Sequence, residues 1–369
     1  MEDARINTLA EILLTYCTHI RPHMTIVITS PVIATPLVEA LYKEILIRGA
    51  HPEVVYYPPS LESLFYTYAS DNQIQYISPL KKFRAETADV ILDIRADTAH
   101  TSVSSVSSEI LVKKAHAQQS LQSIISQRAA QGSLQWVLTM FPTHALAQQA
   151  GMSLLEYESF FYHACFIHCQ HPVKAWKKLS ASQRKWAYTL NKKSQLRITG
   201  EGTDIHMNIQ NRKWINADGH RNFPSGEIFT CPVENSVEGT IQFTYPGIFG
   251  GKSVENIILT FEKGAVVASS ARSDHDNEIL HNILTTDAGS SHLGEVAIGT
   301  NPQITTFTNN ILLDEKMGGT IHLALGRSFI GTRGKNQSAI HWDLIKDMRD
   351  GGCIYADNEL IYENGAFIL

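Results

Sequence analysis

Residues Asp314–Leu344 read DEKMGGTIHLALGRSFIGTRGKNQSAIHWDL. Two stretches within them alternate with the two-residue period of a strand. In AIHWDLI the period puts His341 and Asp343 on one face, with Ile340, Trp342 and Leu344 on the other. In TIHLALG, Ile321, Leu323 and Leu325 share one face, and His322 shares the opposite one with Ala324 and Gly326, whose small size leaves room beside the imidazole. One face of each strand can bury while the other binds. With Glu315 just upstream, the stretch offers Glu315, His322, His341 and Asp343 as a candidate metal shell. Taken alone, either strand reads first as an ordinary half-buried strand with a hydrogen-bonded histidine, because polar residues on sheets are commoner than metal ligands, so the rest of the chain has to decide.

Two further acids stand out upstream. In NFPSGEIFTCP, Pro224, Ser225 and Gly226 form a tight turn and Glu227 opens the apolar run that follows. A carboxylate held there is well placed to enter a cleft, although an exposed turn acid is the ordinary case. In TDAGSSHLGEVAIGTNP, Glu295 lies between Gly294 and Val296 within small and apolar residues. A buried carboxylate needs a cation or several donors, which makes Glu295 the most informative single acid. His292 sits in a preceding SSH turn and is left out of the set.

The two halves of the chain differ in texture. The first alternates helical and strand patterns. Ile6, Leu9, Ala10, Leu13, Leu14 and Cys17 recur at helical spacing, and MTIVIT follows at Met24–Thr29 as a buried strand. A helix begins after Thr35 with Pro36 in its first turn and ends at Gly49. EVVYY, ADVILDI and QWVLTM are further short apolar strands near Val54, Val90 and Val137. Such alternation predicts an α/β N-terminal domain with a parallel sheet wrapped by helices. No glycine-rich phosphate loop follows the first strand, where Ser30–Thr35 reads SPVIAT, and a dinucleotide fold would need one there. From QLRITGEGTDIHMNIQ onward, short alternating strands predict a strand-rich α+β C-terminal domain, with His206 as a solvent-facing or core histidine. The boundary is expected at 192/193, giving domains 1–192 and 193–369, after a basic helix whose charged face is solvated.

Two motifs invite functional readings that their context does not support. HACFIHCQH gathers His163, Cys165, His168, Cys169 and His171, but its amphipathic flank suggests a helix in which Cys165 and Cys169 bury as small hydrophobes. Structural zinc sites join separated ligand pairs instead. Gly250, Gly251, Lys252 and Ser253 imitate the end of a phosphate loop, yet Pro246 stands where its first glycine belongs.

A net charge of -5, from 31 basic and 36 acidic residues, leaves no electrostatic footprint for nucleic acid. The opening MEDARINTLAEILLTYC is amphipathic, with neither a secretion signal nor a membrane span, so a cytoplasmic protein is expected. Five scattered cysteines, an odd number, fit reduced thiols better than a disulfide framework.

Taken together and in order, NFPSGEIFTCP, HLGEVAIGTNP, LLDEKMGGTIHLALGRSF and KNQSAIHWDLIKDM resemble the successive motifs of the thermophilic aminopeptidase family, dinuclear-metal exopeptidases of the aminopeptidase T type. The similarity extends to FPTHALAQQAGMSLLEYE, WINADGHRNFPSGE and the closing IYADNELIYENGAFIL. The resemblance implies a homodimeric aminopeptidase acting on peptides, whose C-terminal domain carries two divalent ions (Zn, Co, Mn or Mg). On it, Glu227 matches the first acidic ligand and Glu295 the second. His322 matches the first histidine, His341 with Asp343 the closing pair, and Glu315 the acid upstream of the first histidine. A water bridging the two ions would attack the peptide carbonyl, with Glu295 or Glu315 handling the proton and meeting the substrate amine. There is one departure. Where the family usually has a tyrosine seven residues after the first histidine, this chain has Phe329. A catalytically weak or silent metal-binding scaffold of the same fold is therefore the alternative.

Overall fold

The computed structural model describes residues 3–96, 106 and 108–368; Met1, Glu2 and Leu369, which end two of the stretches read above, lie outside the described residues. Contacts divide the chain into two compact units, Met1–Val173 with Gly219–Pro224, and Lys174–Asp218 with Ser225–Leu369.

The first unit is built on a parallel sheet in the order His51–Tyr57, Thr25–Pro31, Val90–Arg95, Gln135–Met140, Asn222–Phe223. Its chain begins with the helix Ala4–Ile12, where the Asp3 side chain accepts from the Arg5 amide, and continues through the π-turn Leu13–Cys17. The apolar face expected of this segment, from Leu9 to Cys17, is buried. The helix Thr35–Ile47 has Pro36 in its first turn and buries Leu37, Leu41 and Ile45. Gly49, at φ +72°, ends it in the left-handed conformation that glycine adopts without cost. Between strand and helix lies only the short 3-10 turn Val32–Ala34, so no phosphate-binding loop forms.

Besides a two-stranded sheet, the second unit contains two large antiparallel sheets among the described residues. One has eight strands in the order Ala265–Ser270, Ile258–Glu262, Glu238–Gln242, Thr203–Asn208, Gln195–Gly200, Cys353–Ala356, Glu359–Glu363, Ala366–Phe367. The other has five, in the order His341–Asp347, Thr320–Gly326, Leu293–Gly299, Glu227–Thr230, Ile215–Ala217. A single apolar core joins the two, with Ile198, Ile205, Ile241 and Leu259 from the first and Val296, Ile321, Leu323, Trp342 and Leu344 from the second. Sheets with one face in such a core alternate cleanly between inward and outward residues, which is why the period in Asp314–Leu344 could be read directly.

The helix Pro172–Leu190 belongs to the second unit, so the division falls at Val173/Lys174 and not at the expected 192/193. The helix is basic outside, but Ala187 and Leu190 enter the core of the second unit, and Gln183 Nε2 donates to the carbonyls of Glu227 (2.7 Å) and Ala217 (3.2 Å). In the first unit, the helix Leu154–Ala164 ends before Cys165, so Cys165 and Cys169 are not one helical turn apart as expected. Cys165 is buried, whereas Cys169 lies beyond the helix with its Sγ 3.5 Å from His168 Nε2. None of the five cysteines is joined in a disulfide. Gly250 and Gly251 turn the hairpin between Gly247–Phe249 and Lys252–Val254, which removes the phosphate-loop reading.

Candidate metal centre

The five-stranded sheet of the second unit assembles five of the six candidate donors by register, and Glu315 joins them from the end of the short helix Ile311–Asp314. Ala324 pairs with Glu295 on one side and Asp343 on the other; His322 pairs with Ala297 and Ile345; Gly326 pairs with His341; and Gly299 pairs with Glu227. Directly paired residues share a sheet face. Glu227, Glu295, His322, His341 and Asp343, drawn from four strands, therefore emerge on the same side. The middle of that patch is paved with Ala324, Ala297, Gly299 and Gly326. Ile321, Leu323, Leu325, Trp342 and Leu344 point the other way and are fully or almost fully buried.

Two glycines are required by this construction. Gly226 has φ +125°, and a Cβ there would lie 2.6 Å from the Asn301 Cβ, so only glycine brings the chain through this turn to place Glu227 at the strand start. Gly326 has φ +98°, and a Cβ would lie 2.3 Å from the Ile340 carbonyl oxygen. That close approach lets the strand carrying His341 lie against it.

The donor atoms converge. His322 Nε2 is 3.5 Å from Glu227 Oε2, 3.5 Å from Glu295 Oε1 and 4.0 Å from Asp343 Oδ1. His341 Nε2 is 3.4 Å from both Glu295 Oε2 and Asp343 Oδ1. Three overlapping groups, Glu227–Glu295–His322, Glu295–His341–Asp343 and Glu315–His322–Asp343, each have their ligand atoms within 4.8 Å of one another. All six residues expected from the sequence thus meet in one place. Outside it, His206 is exposed on the eight-stranded sheet, and the His163–Cys169 segment contributes to no such group among the described residues.

These spacings suit a divalent ion. Direct charge-assisted hydrogen bonds run about 2.7–2.9 Å, shorter than every imidazole–carboxylate distance here. Two donors each about 2.1 Å from a tetrahedral ion stand roughly 3.4 Å apart. Glu227 Oε2 and Asp343 Oδ1 are buried without a hydrogen-bond partner, as is His322 Nδ1. The set is carboxylate and imidazole with no thiolate, which fits Zn, Co or Mn by donor type. His341 Nδ1 lies 2.7 Å from the Arg327 carbonyl oxygen and donates to it, which fixes the ring and turns Nε2 toward Glu295 and Asp343.

Electrostatics point the same way. Burial pushes the Glu227 carboxyl above its ordinary value. Burial disfavours charge on His322, but Glu295, Glu227 and Asp343 more than offset it, so that its pKa is raised. Burial likewise opposes charge on His341, yet Asp343 and Glu295 lift it to about 11. Asp343, desolvated as well, is held at about 2 chiefly by His341. The carboxylates draw positive charge to this point from whichever group can supply it.

Three residues in or against this cluster escaped sequence reasoning or changed meaning in the structure. Lys316 is fully buried, with Nζ hydrogen-bonded to Glu315 Oε1 and 3.5 Å from Glu227 Oε1. A lysine inside DEKMGG reads as solvated, and its only sequence signal is the adjacent acid pair. Asp314 is also buried, accepting from the Thr308 amide (2.8 Å) and hydroxyl (2.7 Å), and burial pushes it up to about 7. Phe329 stands in the site, its ring edge-on to His341 with centroids 4.8 Å apart and also tilted against Phe229 at 5.7 Å.

The family model described as thermophilic metalloprotease (M29) matches residues 2–367. Aminopeptidase AmpS of Bacillus subtilis is 30% identical over 62% of this chain and 62% of its own length, less than two thirds of that relative. Aminopeptidase 2 of Geobacillus stearothermophilus is 26% identical over 93% of this chain and 92% of its own. Among solved structures, wild-type AmpT from Thermus thermophilus superposes with a TM-score of 0.85 at 20% identity, covering 99% of both chains. A 2,5-dihydroxypyridine dioxygenase from Pseudomonas putida shares the fold more distantly, with a TM-score of 0.60 at 14% identity over 99% of this chain and 97% of that one. Because the family model spans nearly every residue and the six donors of its motifs meet in one cluster, the chain belongs to the thermophilic metalloprotease family M29.

Proposed function

We propose that this chain is a metal-dependent aminopeptidase that removes N-terminal residues from peptides with the help of two divalent ions. The observation that carries this reading is the convergence of six oxygen and nitrogen donors into overlapping groups at spacings of 3.4–4.0 Å between imidazole and carboxylate. Membership of M29 and the relatives named aminopeptidases support the reaction class. Two such ions, when bound, would polarise the scissile carbonyl and acidify the water that attacks it.

The chain's own residues divide the remaining work. Glu227 and His322 would hold one position and His341 with Asp343 the other. Glu295 is the acid common to both groups and is committed to holding them together. Glu315 belongs to the third group, with His322 and Asp343, and is the more accessible acid, with a side chain 14% exposed against 5% for Glu295. It takes the proton from the attacking water and delivers it to the leaving amine. The free α-amine of the peptide is met at Glu295 or Glu315. No helix among the described residues is long and apolar enough to cross a membrane. A cytoplasmic homodimer completes the reading, and sedimentation of the purified chain tests the dimer.

The alternative of weak or silent turnover rests on the departure at Phe329 alone, whose ring brings no hydroxyl to the edge of His341. The decisive experiment is dialysis against chelator, restoration with Co or Zn, and assay of leucyl and arginyl reporter substrates beside their N-acetylated forms. Activity that vanishes with the metal, returns with it and spares the acetylated substrates is the expected result. Bound metal with no cleavage of any substrate establishes the silent scaffold, and cleavage that survives the chelator ends the metallopeptidase reading.

A further inference from the structure

Lys316 brings a lysine side chain into the cluster of candidate ligands. Its side chain has no solvent exposure, and the described contacts of its ammonium are two carboxylates, Glu315 by a hydrogen bond and Glu227 at 3.5 Å. Those two acids are not distributed evenly over the candidate ligand groups. Glu227–Glu295–His322 and Glu315–His322–Asp343 each contain one of them, whereas Glu295–His341–Asp343 contains neither. A buried ammonium interacts with carboxylates far more strongly than an exposed one, because little water screens it. We propose that Lys316 is a positioning residue acting as a built-in cation: it holds Glu227 and Glu315 and competes with a divalent ion for them, making the Glu227 side of the centre the weakly held position and Glu295–His341–Asp343 the tight one.

The charge count agrees. Glu227, Glu295, Glu315 and Asp343 bring four negative charges; two divalent ions alone neutralise them, and Lys316 makes the loaded centre net positive by one. Before the second ion enters, the four carboxylates, the first ion and Lys316 sum to -1, against -2 without the lysine, so the ammonium halves the charge that draws that ion, and it sits beside Glu227 and Glu315 where the ion would enter. The same lysine gives Glu227 and Glu315 a partner in the metal-free site and lowers the cost of withdrawing those two carboxylates from water.

The inference rests on the metal-site reading above, and the test separates the two. The full-length chain, stripped by chelator, is titrated with Co(II) by calorimetry and by its visible absorption, in wild type, Lys316→Met and Lys316→Arg. Wild type is expected to show one tight and one weak binding step. Lys316→Met should tighten the weak step at least tenfold and leave the tight step within about threefold, while Lys316→Arg, which keeps the charge, should resemble wild type. If Lys316→Met does not fold without metal, it is refolded in Co(II) and the ions are withdrawn by graded chelator, where a more slowly released second ion is expected. A weak step unmoved in Lys316→Met, or both steps moved equally, overturns the role of Lys316 alone. A wild-type chain that takes up no Co(II) overturns the site reading and this inference with it.

Discussion

At Phe329 the chain has an aromatic ring edge-on to His341, half in solvent at 42% exposure, where the resembled family carries a phenol. If a hydroxyl there donates to the tetrahedral intermediate, its loss costs on the order of 3 kcal/mol, about a hundredfold in rate. Phe329→Tyr should therefore raise kcat by roughly ten- to a hundredfold with little change in KM, measured on leucyl reporter substrate in the Co-loaded enzyme; an unchanged kcat removes the hydroxyl from the account. The metal-free site also predicts a pH response. His341 is raised to about 11 from 6.5, because Asp343 and Glu295 outweigh the burial that opposes its charge. A folded-state value above the unfolded one gives stability that is complete below about pH 6.5 and lost as the pH climbs toward 11. Asp343, lowered to about 2 from 3.8, stabilises above about pH 4 and loses that contribution as the pH falls toward 2. The chelated protein should thus lose melting temperature between pH 6.5 and 9, and His341→Gln should show a shallower slope over that window; equal slopes would sever the pairing from stability. His322, His341 and Asp343 were visible in the sequence because each alternates with apolar residues at a strand period, and Glu295 because small and apolar residues surround it, whereas Glu227 beside its turn and Glu315 between two charged residues gained their meaning from the resemblance. Lys316 was not visible, since nothing local distinguishes a lysine that buries beside acids from one that faces water.

At the level of elements, the strands around the site were legible because one face of each is apolar and enters a core. What the period cannot give is register, and register is what converts two residues on one face into a site: Glu295, Ala324 and Asp343 line up across three strands only because of the pairing between them. That alignment includes an irregularity between Leu293 and Glu295, at Gly294, where a Cβ would lie 2.3 Å from the Gly326 carbonyl oxygen. The pattern of apolar residues carries no mark of it. Gly326→Ala tests how tightly the strands are held. It combines a left-handed backbone with a Cβ 2.3 Å from the Ile340 oxygen, and should destabilise by about 2 kcal/mol or more while weakening Co(II) uptake. Gly151→Ala is the control, with φ +67° and nothing within 4 Å of the new Cβ, and should cost about 1 kcal/mol with metal uptake unchanged. Equal losses in urea unfolding would show that backbone strain alone, and not the approach of the His341 strand, requires glycine.

Over the whole molecule, the α/β first half and strand-rich second half follow from hydrophobic period, but their partition does not. Asn222–Phe223 pairs in parallel with Gln135–Met140 although it lies far along the chain in the strand-rich half, and the basic helix Pro172–Leu190 sends Ala187 and Leu190 into the core of the second unit. Both depend on long-range partners that local pattern does not name. The fold is also no guide to chemistry by itself, since a dioxygenase shares it; the six donors carry the function, and all six lie in the unit made of Lys174–Asp218 and Ser225–Leu369. Metal should therefore stabilise the molecule unevenly. An ion at a thousandfold excess over its dissociation constant adds about 4 kcal/mol to whatever unfolds with the site. Scanning calorimetry of the chelated protein should resolve a transition for the second unit that rises by several degrees when Co or Zn is restored, while the transition of the parallel-sheet unit stays in place. Hydrogen exchange can assign them, with added protection expected in Leu293–Gly299, Thr320–Gly326 and His341–Asp347 and none in Thr25–Pro31 or Val90–Arg95. Protection spreading equally through both groups of strands would mean that the two units unfold as one, and a metal-insensitive second unit would leave the cluster without a bound ion to hold.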